Sequence, residues 1–408
     1  MTMMSPTRNT AGATDPATRS PINTSQGWEE RCRRLLERRE GESLLRQRQA
    51  VHAIDSVHFE FEGVRYINFC SNDYLGLTHH RRLLEAMRSA QSAGSGAAGL
   101  ITGYTDLHAR AEDAIARWKG AEAAVLLPSG YQANLAAVQT LNQIGGEASV
   151  RFLIDKLAHA SLIDAVRATQ APMRAFPHNN LTKLRQLLDD APADQLQVVL
   201  TESIFSMDGD ACDLRGLAEL KQKHPFVLLL DEAHGSGVYG PNGSGLAAEM
   251  KLQHAVDVSI VTLSKAIGCV GGAVSGSSLF RDGLLNFGRA YIYSTSVPPH
   301  LASCVTEAIG VMRDEPQRQA RVRALANRVR SELKLEPGAD SPIVPIVLGD
   351  QAKALHAAEE MKRRGLLVLA VRPPTVAPGS SRLRVTLSCE HSDEEIEQLI
   401  QAIRLLRA

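Results

Sequence analysis

Between residues 105 and 290, short apolar runs alternate with stretches of helical spacing. The runs are AAVLL at 123–127, FLI at 152–154, VVL at 198–200, FVLLL at 226–230 and SIVTL at 259–263. They lack the every-second-residue polarity of a half-exposed strand. Each therefore predicts a strand covered on both faces, as in a parallel sheet. Between them, segments such as 106–119 place Leu107, Ala111, Ile115 and Trp118 at helical spacing. This alternation predicts an α/β fold: a mostly parallel central sheet flanked by helices, with right-handed crossovers.

The flanks read differently. Residues 28–49 predict a basic helical stretch with a break near Gly41, and 57–69 (VHFEFEGVRYINF) predict a hairpin turning at Glu62-Gly63. Beyond Pro298-Pro299 the pattern is helical to about 334. A smaller C-terminal α+β unit comes next, with strands over 343–348 and 366–371 around a helix at 351–364. RLRVTLS (382–388) alternates, and Ser392 with Glu395 predicts a capping box for the last helix. The expected divisions are a disordered tail at 1–26, a helical and hairpin segment at 27–80, a large α/β domain at 81–298 and a small domain at 299–408.

Composition narrows the function classes. The chain has 408 residues, 44% of them hydrophobic, with 45 basic and 45 acidic side chains. Zero formal charge supplies no pull toward nucleic acid or acidic membranes. No run of 18 apolar residues predicts a membrane span. Residues 1–26 are rich in Thr, Ser, Pro and Asn and lack the apolar core of a secretory signal. The six cysteines show no C-x-x-C pairing, so neither a metal site nor a disulfide scaffold is predicted, and the expected compartment is the cytoplasm.

In open α/β sheets, ligands bind beyond the carboxyl ends of the strands. The residues just past each apolar run are therefore informative. Pro128-Ser129-Gly130-Tyr131 opens a helical stretch whose N–H groups can hold a phosphate. The other runs lead into Asp155 and His159, into Glu202 and Ser206, into Asp231 and His234, and into Ser264-Lys265. Taken singly, each has an ordinary explanation: a solvated lysine, a turn-capping aspartate, a structural histidine. Taken together, they bring Gly, His, Ser, Asp, His and Lys to one edge. Pyridoxal phosphate needs a lysine for a Schiff base, a carboxylate at its ring nitrogen, a phosphate cradle and a ring to stack on. Lys265 and Asp231, 34 residues apart, suit the first two roles.

With these residues in place, the sequence resembles the α-oxoamine synthase family of fold-type I pyridoxal-phosphate enzymes. The matching stretches include NFCSNDYLGL (68–77), ITGYTDLH (101–108), LPSGYQAN (127–134), DKLAHASL (155–162), TESIFSMDGD (201–210), LDEAHGSGVYG (230–240), TLSKAIGCVGG (262–272) and IYSTSVPP (292–299). They run in the expected order over nearly all of 45–400. The resemblance implies a decarboxylative condensation of an amino acid with an acyl thioester. RPPTVAPGSSRLRVTLS (372–388) and SNDYLGLTHH (71–80) point to the branch that uses L-alanine and a pimeloyl thioester in biotin biosynthesis.

The resemblance also implies roles. Lys265 holds the cofactor covalently and removes the α-proton; Asp231 pairs with the ring nitrogen. His159 stacks on the ring, and His234 bonds its phenolic oxygen. Gly130 and Tyr131 cradle the phosphate, with Ser206 and Thr262 adding contacts. Ser294 and Thr295 reach the neighbouring subunit's phosphate, which implies a homodimer. Arg384 grips the amino-acid carboxylate with Asn72 as a second contact, and Arg46 and Thr375 stand near the acyl substrate. The acyl carrier is coenzyme A or an acyl carrier protein. One departure is Ala98-Gly99, where the family commonly has Ser-Arg, a position that bears on acyl preference. Two alternatives remain: a family branch taking glycine or serine, and a non-catalytic partner subunit that keeps the fold. The second would be expected to lack Lys265.

Overall fold

The computed structural model describes residues 24–146, 150–192, 194–336 and 338–407. Its contacts divide the chain into Met1–Val51 and His52–Ala408. The tail predicted at 1–26 lies outside the described residues except for 24–26, which begin a helix.

In the first unit that helix spans Thr24–Gly41 and stops there. The expectation of helix to residue 49 is corrected: Ser43 turns into the left-handed region at φ 54°, and 44–50 are not helical. Arg46 is exposed in this non-helical stretch.

In the second unit a seven-stranded sheet runs in the order 123–127, 272–276, 258–262, 227–231, 196–202, 150–155, 173–176. Every pairing is parallel except those of Gly272–Gly276, which is antiparallel to both neighbours. Ala123–Leu127 therefore still runs the same way as Val258–Thr262. All five predicted strand ends do reach one edge. The predicted runs are buried on both faces; AAVLL has no residue above 6% exposure. Two strands of this sheet escaped the sequence reading. Met173–Phe176 is a half-exposed edge strand, and Gly272–Gly276 is too small and glycine-rich to stand out.

Local chemistry starts the helices that leave this edge. Ser129 Oγ accepts from Gln132 N at 3.1 Å and caps Gly130–Gly145. His159 Nδ1 accepts from Ser161 N at 3.2 Å and caps Ala160–Thr169. Such caps satisfy amides that a helix cannot pair internally.

The hairpin forms as predicted, His58–Phe61 against Val64–Asn68, with Glu62 and Gly63 both at positive φ. The predicted strand over 366–371 is split instead. Leu366–Leu367 joins the hairpin's sheet in parallel, whereas Leu369–Val371 joins a three-stranded sheet with Ser381–Thr386 and Ile343–Gly349. The helical region after Pro298 breaks at Glu315-Pro316 into Pro299–Asp314 and Gln317–Glu332. The capping box forms: Ser392 N donates to Glu395 Oε2 at 2.8 Å and Glu395 N donates to Ser392 Oγ at 3.1 Å. Ser381–Thr386 lies at the centre of its sheet and every residue of it is buried.

The segment after the hairpin is laid against this small sheet. Thr386 N donates to Phe69 O at 2.8 Å, Cys389 N to Tyr74 O at 2.9 Å, and Ser388 Oγ to Asp73 O at 2.9 Å. His391 helps close the joint. Its Nδ1 accepts from Ser388 N, its Nε2 donates to Asn68 O, and its ring stacks on Phe69 at 4.3 Å. Burial pushes this imidazole down to about 4. The unfolded chain therefore binds a proton that the folded chain refuses, between about pH 6.5 and 4, and stability falls as pH drops through that window. We predict that His391→Gln removes about 3 kcal/mol of that acid-dependent loss. Unfolding free energies of both proteins at pH 7 and pH 4 check this, and an equal loss in both would refute it.

Candidate active site

Strand ends deliver the principal groups. Glu202 and Asp231 are in register on neighbouring parallel strands, and Lys265 comes just after Val258–Thr262 on the next strand. Asp231 is buried and held by two neutral amide donors: Asn134 Nδ2 to Oδ2 at 2.8 Å and Ala233 N to Oδ1 at 2.9 Å. Asn134 also donates to Ser161 Oγ at 2.8 Å, so the helix after Gly130 aims the carboxylate.

Lys265 is half-buried, and its Nζ lies 2.8 Å from His234 Nε2. Burial pulls the lysine below its ordinary range, against the opposing pull of Asp231 and Glu202. Glu202 is forced the other way: burial first, then Asp231, raises it above the usual carboxylate range. Its Oε1 has no hydrogen-bond partner among the described residues, nor has Asn134 Oδ1.

His234 is fully enclosed. Burial, then the charges of Lys265 and Arg384, hold it well below the ordinary imidazole range, so it is neutral. Its Nδ1 meets Tyr74 Oη at 2.6 Å. A neutral imidazole has one donor and one acceptor, so it relays between the phenol and the lysine. Tyr74 Oη also lies 3.2 Å from Asn72 Oδ1, which accepts from Arg384 Nη2 at 3.2 Å. Arg384 donates further to Ser206 O at 2.6 Å and Thr386 Oγ1 at 2.8 Å. An exposed edge-strand arginine, the ordinary reading of its position, is excluded by 5% exposure. A continuous chain thus runs from Arg384 through Asn72, Tyr74 and His234 to Lys265.

The remaining predicted residues stand around this cluster or apart from it. His159 caps its helix and is an exposed residue. Ser206 enters through its carbonyl. Tyr131 is exposed and its hydroxyl donates to Asp164 at 2.8 Å. Ser294 Oγ accepts from Gln132 Nε2 of its own chain at 3.1 Å, and exposed Thr295 bridges Ala98. Thr375 is exposed in a turn closed by its N–H to Arg372 O. Arg46 belongs to the first unit. Roles for Tyr74, Asn134, Ser161 and Thr386 were missed, although Tyr74, Asn134 and Ser161 stand inside matched motifs. Polar residues in the middle of apolar helical faces, such as Asn134, were the available signal.

The residues fit pyridoxal phosphate. A Cβ on Gly130 would come 2.3 Å from Thr262 Oγ1, and one on Gly272 would come 2.6 Å from Gly130 N. The two glycines thus keep the helix start and the Thr262 hydroxyl open as an anion cradle. Among the described residues Asp231 offers a carboxylate held by two neutral amides, suited to a ring nitrogen, and Lys265 offers the amine. No group of His, Cys, Asp and Glu suited to a metal ion occurs among the described residues. No described helix is long and apolar enough to cross a membrane.

This fold and site define a fold-type I pyridoxal-phosphate-dependent transferase. Comparison with known proteins gives the same class. The model for aminotransferase class I and II matches residues 64–403. An 8-amino-7-oxononanoate synthase of Hydrogenovibrio crunogenus is 40% identical over 380 residues, 90% of this chain and 94% of that protein. Serine palmitoyltransferase of Sphingomonas wittichii superposes with a TM-score of 0.85 at 26% identity, covering 95% of this chain and 98% of that one. The 8-amino-7-oxononanoate synthase of Francisella tularensis superposes at 0.71 with 26% identity, covering 84% and 96%. The chain belongs to the aminotransferase class I and II family and, within it, to the 8-amino-7-oxononanoate synthases.

Gly130→Ala places a methyl group in the cradle. Titration of cofactor-free protein with pyridoxal phosphate is expected to show affinity lower by about tenfold or more, from the loss of a charge-assisted contact. Unchanged affinity would remove Gly130 from the phosphate site.

Proposed function

We propose that the chain condenses L-alanine with a pimeloyl thioester, releasing carbon dioxide and the free thiol and giving 8-amino-7-oxononanoate for biotin biosynthesis. The observation that carries this reading is the hydrogen-bonded chain from Arg384 to Lys265, which joins a carboxylate-binding guanidinium to a reactive amine. Bound pyridoxal phosphate supplies an electron sink for the amino acid's α-carbon.

The residues divide the work. Asp231, aimed by Asn134, would hold the protonated ring nitrogen. His234 would hold the phenolic oxygen, and His159 would stack on the ring. Gly130, Tyr131, Ser206 and Thr262 take the phosphate. Arg384 and Asn72 bind alanine's carboxylate, fixing the α-carbon within reach of Lys265 Nζ. Because burial lowers the amine's proton affinity, a neutral fraction is available at physiological pH to accept the α-proton. Arg46 and Thr375 belong to the acyl side.

The same reading makes the protein a homodimer. Leu100, Ile101 and Tyr293 expose 50%, 75% and 74% of their surface on the two segments bridged by Ala98 and Thr295. Exposed apolar side chains grouped in this way mark an interaction surface. Ser294 and Thr295 reach the second subunit's phosphate site across it. The divisions at 27–80, 81–298 and 299–408, and a cytoplasmic location, belong to this proposal. Serine in place of alanine is the second reading, favoured by the backbone likeness to a serine palmitoyltransferase.

Three outcomes test the reading. Thiol release measured over alanine, glycine and serine, each with pimeloyl, acetyl, succinyl and palmitoyl thioesters, should give the highest kcat/KM for alanine with pimeloyl. A preference for serine with palmitoyl would replace it with the second reading. The same panel run on coenzyme A and carrier-protein thioesters assigns the carrier. Lys265→Ala should abolish turnover with the fold intact, and wild-type turnover would refute its role. Arg384→Ala should weaken alanine binding by about 10- to 150-fold, the worth of roughly 1.5–3 kcal/mol for a charge-assisted pair. Unchanged binding would exclude Arg384.

A further inference from the structure

His178 stands outside the cluster, on the turn after the edge strand Met173–Phe176. Its ring lies between two carboxylates: Nδ1 is 3.1 Å from Asp155 Oδ1 and Nε2 is 2.7 Å from Asp210 Oδ2. A neutral imidazole donates through one nitrogen only. Asp155 also accepts the N–H groups of Leu157 on Oδ1 and Asn179 on Oδ2, at 2.8 and 2.9 Å. Satisfying both carboxylates requires both ring nitrogens to donate. Burial opposes that charge, but the hydrogen bonds to Asp155 and Asp210 outweigh it and raise the imidazole to about 10.

The two carboxylates belong to different loops. Asp155 ends its strand and orders the Leu157 amide, two residues before His159. Asp210 closes the 203–212 loop, where Phe205 N donates to Asp210 O at 2.9 Å and Ile204 bridges Ala211. The tip of that loop supplies Ser206 O to Arg384 and Asp208 to Arg382. Phe205 meets the imidazole edge-on at 4.3 Å, so the ring is also fixed sideways.

We propose that His178 is a positioning residue, an imidazolium clamp between Asp155 and Asp210 that sets where the 203–212 loop presents its carbonyl to Arg384. The inference rests on the role given to Arg384 above and adds a residue that touches neither substrate nor cofactor. Since Arg384 serves the amino acid and not the thioester, loosening the clamp should act on one substrate only.

The test compares the wild type with His178→Gln and, as a milder break, Asp210→Asn. Amide hydrogen exchange in 203–212, read on cofactor-free protein and on holoenzyme, should rise about tenfold in both variants, the cost of one charge-assisted hydrogen bond. In the holoenzyme the KM for alanine should rise by a similar factor while the KM for the thioester stays within about twofold. Unchanged exchange, or equal rises in both KM values, in a folded variant would overturn the clamp. Should His178→Gln fail to fold, Asp210→Asn decides by the same criteria. If the wild type itself does not use alanine, the reaction assignment fails, and the exchange measurement still decides the clamp.

Discussion

An amine must be carried into a desolvated site and kept reactive, and the other residues of this site answer that requirement. Burial pulls the Lys265 amine toward its neutral form, whereas the carboxylates of Asp231 and Glu202 pull it toward its charged form. The site sets these influences against each other. Asp231 is committed elsewhere by Asn134 and the Ala233 amide. Glu202 is itself made reluctant to ionise. His234, kept neutral, can exchange a hydrogen bond with the amine without adding a positive charge beside it. The parallel strands make this balance reproducible, since register fixes which residues face each other at the edge.

The second structural demand is to bring a buried guanidinium to that amine. Arg384 comes from the small C-terminal sheet, more than a hundred residues downstream of Lys265. Its charge is tolerated because three acceptors meet it: Ser206 O, Thr386 Oγ1 and Asn72 Oδ1. These belong to the large sheet's loop, to Arg384's own strand and to the segment after the hairpin. A buried charge without such partners would be costly. Folding of three separate pieces of chain is thereby tied to completion of one site. Tyr74, fully enclosed, connects Asn72 to His234 and so connects the two halves chemically.

Most of the site's principal residues were legible in the sequence because strand ends announce themselves. Unbroken apolar runs marked the strands, and the residues just past each run had to lie at one edge of a parallel sheet. Lys265, Asp231 and His234, which the structure brings together, were singled out in this way, as was His159. Gly272–Gly276 and Met173–Phe176 were not, the first lacking bulk and the second lacking burial. The break near Gly41 was legible, but the loss of helix beyond it and the split at Val368 depend on partners distant in sequence or on a single left-handed residue. Periodicity carries neither. Asn134, Tyr74 and His178 were invisible as functional groups for a related reason: their importance lies in what they touch across 97, 160 and 32 residues of chain respectively. Arg384 was assigned through family resemblance, since alternation alone suggested an exposed edge. Arg46 and Thr375 remain assignments of that kind, one in a separate unit and one on an exposed turn.

The most direct measurement is covalent. Purified holoenzyme treated with borohydride, digested and mapped by mass spectrometry should carry the reduced pyridoxal phosphate adduct on the peptide containing Lys265 and on no other lysine. An adduct on a different lysine, or an unmodified Lys265 in protein that binds the cofactor, would contradict the account.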